Sequence, residues 1–178
     1  MWGILKHCGF ASLAILAALA LLLFAVVPGH VARADSLSVS IPVDVGSSEH
    51  WVDINLSQQI LVAMNGTQAD KVIFVTTGQP GYETPTGTFH FLRRVEDETM
   101  RSSALGIPID SPDGWDLEHV MYTQYFTNQG HALHDNYWRP DNVFGSQATS
   151  HGCAGMRLED AKYLWGFLGN GSRVVIHY

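Results

Sequence analysis

Cys153 closes the run Ser150-His151-Gly152-Cys153, and a second histidine-rich run, His131-Ala132-Leu133-His134-Asp135, precedes it. A cysteine attacks a carbonyl only as its thiolate, and an unperturbed thiol of pKa about 8.5 is only a few per cent ionised at neutral pH. A neighbouring imidazole takes the thiol proton and later passes it to a leaving group. Gly152 lets a carbonyl come close to the main chain, where amide N–H groups hold an oxyanion. These residue types point to thiol-based acyl transfer by a Cys/His pair, and leave open which histidine is the base. An inert thiol is the plainer alternative, since free cysteine is among the most buried residue types. His131, His134, His151 and Cys153 also offer nitrogen and sulfur ligands for zinc. Spacings such as H-E-x-x-H are absent, so no metal is expected.

The elements that must position these residues belong to a chain of 178 residues, the length of one domain. A net charge of −7 argues against nucleic acid, and 46% hydrophobic residues argue against disorder. Cys8 to Val27 form an apolar run preceded by Lys6 and followed by Ala32-Arg33-Ala34, a pattern that signal peptidases read. Residues 1–34 are therefore expected to be a signal peptide, or an uncleaved membrane anchor, with the rest exported. Cleavage before Asp35 leaves Cys153 as the sole cysteine of an exported domain, which favours a chemical role.

Residues 35–50 read as a linker. Val52, Ile54 and Leu56 alternate with Asp53 and Asn55, the signature of a half-buried strand. Ile60 to Met64 resumes it, Asn65-Gly66 predicts a two-residue hairpin turn, and Lys71 to Thr77 gives a third strand. Thr88 to Arg94 and His119 to Phe126 predict two more, separated by an insertion loop from Val95 to Glu118 whose Glu96-Asp97-Glu98 cluster reads as solvated. One helix is predicted over Leu158 to Leu168, with Leu158, Ala161, Leu164, Trp165 and Leu168 on one face, before a closing strand from Arg173 to Tyr178. The whole implies a mostly-β sandwich or barrel with one main C-terminal helix.

Three ordered blocks resemble a known family. Ser150-His151-Gly152-Cys153-Ala154-Gly155-Met156, with His134 upstream, is similar to the signature of L,D-transpeptidases of the YkuD-like fold. Val52 to Gln59 resembles that family's opening hairpin, and Thr77 to Phe89, with its Thr84-Pro85-Thr86-Gly87, its "TG…TPTG.F" loop. The resemblance spans Trp51 to Tyr178 and makes residues 51–178 the catalytic domain, a YkuD-like β-sandwich. It implies that Cys153 is the nucleophile and His134 the general base, oriented by the backbone carbonyl of Asp135. His151 and Gly152 would shape an oxyanion pocket with the Cys153 N–H. Tyr137 and Trp138 would wall the cleft, and His131, Ser150 and Arg157 are further candidates for substrate contact. Thr84 to Gly87 would set loop geometry and not take part in chemistry.

Two positions depart from the pattern. Gly155 stands where the family usually has Asn or Arg, with Arg157 the nearest substitute. Asp135 adds a carboxylate expected to raise the His134 pKa and favour a thiolate–imidazolium pair. The resemblance implies an exported cell-wall enzyme that forms a thioester with a peptidoglycan tetrapeptide stem and transfers it to an amine on a second stem or a wall-bound protein. Carbapenem-type β-lactams would inhibit it. Alternatives are an L,D-carboxypeptidase that hydrolyses the same thioester, and an inactive wall-binding module. An ordinary exported cysteine protease lacks any papain-type signature here.

Overall fold

The computed structural model describes residues 37–178, and the expected leader over residues 1–34 lies outside them. Among the described residues, nine strands and one α-helix follow in chain order. They are β1 (His50–Asn55), β2 (Ile60–Asn65), β3 (Gln68–Phe74), β4 (Gly87–His90), β5 (Arg93–Arg101), β6 (Asp116–Tyr125), β7 (Ala132–Asp135), β8 (Ala154–Met156), α1 (Leu158–Phe167) and β9 (Arg173–His177). One sheet has the order β3-β2-β1-β9-β4 and the other β5-β6-β7-β8. The fold is mostly β with one α-helix, as expected.

Between the sheets lies one apolar core. Val52, Ile54, Leu61, Ala63, Val174 and Ile176 of the first sheet meet Leu133, Ala154 and Met156 of the second, with Ala161, Leu164 and Leu168 from α1 and its end. The helix predicted by periodicity is present, but Leu158 is exposed and Trp165 carries the Arg94 guanidinium 3.9 Å above its ring. Asp160 in the first turn pairs with Lys71 at 2.7 Å.

Several expectations are corrected. β1 is buried on both faces, because Val39 and Val45 of the preceding segment pack on the outer cluster of Trp51, Ile60, Val62, Met64 and Val175. Asp53, facing that side, accepts from the Ser40 N–H and meets His177 Nε2 at 2.9 Å. The hairpin turn is one residue later than predicted: Asn65 pairs with Gln68, so Gly66 and Thr67 are central, with Gly66 at φ 55°. β3 accordingly starts three residues before the predicted strand.

The largest correction concerns residues 88–118. The predicted strand Thr88–Arg94 is split between sheets, β4 pairing with β9 and β5 with β6. The supposed insertion loop is mostly the long β5–β6 hairpin, closed by a 3-10 turn (Ser102–Leu105) and the loop 106–115. Charged residues dominate β5 because its side chains face solvent or the cleft described below, so no apolar alternation marks it as a strand. The acidic cluster is not a loop. Asp97 pairs with His119, and Glu98 accepts from the Tyr125 hydroxyl at 2.7 Å.

Candidate active site

Strand pairing and alternation put the histidine and cysteine on one surface. β7 and β8 are parallel neighbours, with Leu133 opposite Ala154 and His134 opposite Gly155. Leu133 and Ala154 enter the core, so by strand alternation His134, Cys153 and Gly155 take the other face. His134 and Cys153 are thus diagonal neighbours across the strand pair. Both line a cleft of about 490 Å³, roofed by the β5–β6 hairpin through residues such as Glu98, Met100 and Trp115.

His134 is 4% exposed, and its Nδ1 lies 2.5 Å from the Asp135 carbonyl oxygen. Only a protonated Nδ1 can donate there, which leaves Nε2 as the basic nitrogen. The Trp138 ring stacks on the imidazole, centroids 5.8 Å apart. Burial lowers the His134 pKa, opposed by its bond to the Asp135 backbone. Burial likewise pushes the Cys153 thiol up to about 11, with the Glu98 charge adding to the rise. The resting pair is therefore thiol and neutral imidazole. The expected effect of the Asp135 carboxylate is corrected: it accepts from the Met121 and Tyr137 backbone N–H groups and leaves His134 to burial.

The loop that presents Cys153 is tied from several sides. Ser150 Oγ donates to the Cys153 carbonyl at 2.6 Å and accepts from the Gly152 N–H at 3.0 Å, so its hydroxyl is spent within the loop. That bond also occupies the Gly152 N–H. Gly152 has φ 112°, and a Cβ there would lie 2.7 Å from the His131 ring, so only glycine fits. Thr84 is 3% exposed and joins two loops, accepting from the Gly78 N–H and donating to the Gly152 carbonyl at 2.9 Å. His151 packs edge-on against Tyr82, centroids 4.5 Å apart.

The other predicted residues divide. His131, Trp138, Ser150 and His151 line the cleft, with His131 Nδ1 held by the Thr127 hydroxyl at 2.8 Å. Tyr137 does not: its hydroxyl donates to the Glu118 carbonyl and its ring is exposed. Arg157 does not either, being paired with Asp141 at 2.5 Å and packed over Phe144. The place left by Gly155 is taken by Asn136, whose Nδ2 would lie 2.3 Å from a Cβ at 155. Sequence reading missed Asn136, Arg139, Glu98 and Arg93, all cleft-lining. Asn136 and Arg139 lie within five residues of His134, the one local signal available. Among the described residues no group of three or more metal-ligating side chains occurs.

Residues 49–176 match the YkuD family, the L,D-transpeptidase catalytic domain. The chain belongs to the L,D-transpeptidase family. It is similar to a probable L,D-transpeptidase 3 of Mycobacterium tuberculosis, 34% identical over 107 residues, which cover 60% of this chain and 39% of that protein. It is also similar to L,D-transpeptidase 1 of the same organism, 30% identical over 57% of this chain and 39% of that one. The crystal structure of the M. tuberculosis L,D-transpeptidase 3 superposes with a TM-score of 0.69 at 26% identity, covering 72% of this chain and 61% of the other. The same relative has been crystallised with a faropenem-derived adduct. The chain thus spans about two fifths of the length of the curated relatives it matches.

Proposed function

We propose that the domain is an exported peptidoglycan L,D-transpeptidase with Cys153 as nucleophile and His134 as general base and acid. The observation that carries this reading is the diagonal placement of His134 and Cys153 in one cleft, with His134 Nδ1 tied to the Asp135 carbonyl. Nε2 takes the thiol proton as Sγ attacks the carbonyl between the L-centre of the stem's diamino acid and its terminal D-alanine. The Cys153 N–H stabilises the oxyanion, since Ser150 holds the Gly152 N–H. Collapse breaks the C–N bond, and His134 gives its proton to the departing D-alanine amine. An acceptor amine, from a second stem or a wall-bound protein, then attacks the thioester. His134 receives its proton and passes it to the released thiolate.

Because one relative carries a faropenem-derived adduct and another has been crystallised with imipenem, penem and carbapenem-type β-lactams are expected to acylate Cys153. The reading is tested by mass spectrometry of the full-length chain incubated with a disaccharide-tetrapeptide, beside Cys153→Ala. Loss of D-alanine with a cross-linked dimer, absent in the variant, supports transpeptidation. Tripeptide without dimer would make the domain an L,D-carboxypeptidase. No product from folded, reduced protein would leave a binding module.

A further inference from the structure

Three arginines line the cleft, and their partners differ. Arg93 lies 3.9 Å from Glu98, and Arg101 3.1 Å from Asp116. Arg139 has no carboxylate within 4.0 Å among the described residues. Its Nη2 donates to the Thr149 carbonyl at 2.9 Å, which fixes the guanidinium, while its buried Nε has no acceptor. A partly buried cation without a counterion is costly, and the cost is offset when an anion binds. Thr149 lies four residues before Cys153, so this bond sets Arg139 beside the loop that carries the thiol.

A second group in the same wall is also unsatisfied. Asn136 is 3% exposed and lines the cleft, and its Oδ1 has no donor. Its carboxamide lies over Gly155, in space that any side chain at 155 would need. Both residues thus line one cleft: a guanidinium lacking a carboxylate partner and an amide whose oxygen lacks an N–H. An acyl-donor peptide with a free C-terminus presents both complements, a carboxylate and main-chain N–H groups.

We propose that Arg139, with Asn136 over Gly155 in the same cleft, binds the free C-terminal carboxylate of the donor peptide. The assignment rests on the donor being a peptide stem cut one residue from its end. Arg139 is then a specificity-determining residue: it selects stems that still carry the terminal acid and sets the scissile carbonyl at a fixed reach from Cys153.

Calorimetric binding to the full-length Cys153→Ala chain tests this without turnover. The probes are a tetrapeptide stem ending in D-alanine and the same peptide ending in D-alaninamide. Charge-assisted hydrogen bonds predict that amidation weakens binding by about 10- to 100-fold. Adding Arg139→Gln should weaken the acid by a similar factor and leave the amide unchanged, while Arg139→Lys retains part of the preference. Equal affinity for both peptides, weakening of both alike by Arg139→Gln, or binding of neither would overturn the proposal. The comparison of the two peptides needs no change at Arg139, so it stands if that variant does not fold. Turnover by the Cys153-bearing chain is scored separately, so failure of the anchor leaves transpeptidation intact.

Discussion

The Cys153 thiol and the His134 imidazole are both driven toward their neutral forms by the same cause, desolvation in the cleft wall. A thiol held near 11 stays protonated across the physiological range, so under the proposed mechanism its proton leaves only as the nucleophile attacks, and His134 must be neutral to accept it. Because the imidazole pKa is lowered from 6.5, activity should be lost only on the acid side of that value. Iodoacetamide alkylation of the free protein should be slow at neutral pH and climb toward a midpoint near 11, read by intact mass. Rapid, pH-independent alkylation between pH 6 and 8 would instead reveal a preformed thiolate. Asp135 supplies a second titration: its folded carboxyl pKa is raised to about 6 from 3.8, so the folded chain holds the proton more tightly. Stability should therefore fall as pH rises between those values, and Asp135→Asn should remove that slope. The difference in urea unfolding between the two ends of the window is expected to be about 1–2 kcal/mol, after allowance for solvent screening. Cys153 and His134 were legible in sequence because a nucleophile loop is a local motif. Asn136 and Arg139 were not, since only folding reveals that one fills the place of a side chain at 155 and the other lacks an anion.

The elements hold the site through two loops and one hairpin. Thr84 bridges Gly78 and Gly152 from the middle of the loop that joins β3 to β4, so a residue with no chemistry of its own fixes the backbone before Cys153. Thr84→Val keeps the shape and removes both bonds. It should cost about 1–3 kcal/mol, seen as a lower thermal midpoint, and slow acylation of Cys153. Thr84→Ser should keep most of both. β1, β2, β9 and α1 were readable because each buries a periodic apolar set against the core. β8 was not, with only three residues and too short for any period to show. β5 was hidden for a different reason. Its residues were selected to face water and the cleft, and a strand with no buried side has the composition of a loop.

At the scale of the whole domain, the middle of the first sheet, β2, β1 and β9, is covered on both sides, while β3 and β4 stay largely exposed. Its inner face meets the second sheet, and its outer face carries Val39 and Val45, with Arg173 tying Asp44 at 2.7 Å and Glu49 at 2.9 Å. The alternation in β1 reported one apolar face correctly, but nothing in it revealed that Asp53 and Asn55 would be covered by the chain before it. Deleting residues 37–46 should uncover the Trp51 cluster and cost about 2–4 kcal/mol of stability by the apolar area exposed. The alkylation rate of Cys153 should hardly change, because the cleft is built by the other sheet. Differential scanning calorimetry beside iodoacetamide labelling separates the two effects. The central claim, that Cys153 carries the acyl group of a peptide stem, is tested most directly by intact-protein mass spectrometry of acid-quenched mixtures with a tetrapeptide donor. An adduct equal to the donor less D-alanine is expected, mapped to Cys153 and absent from Cys153→Ala. Turnover of the donor with no adduct at Cys153, or an adduct that persists in Cys153→Ala, would contradict it.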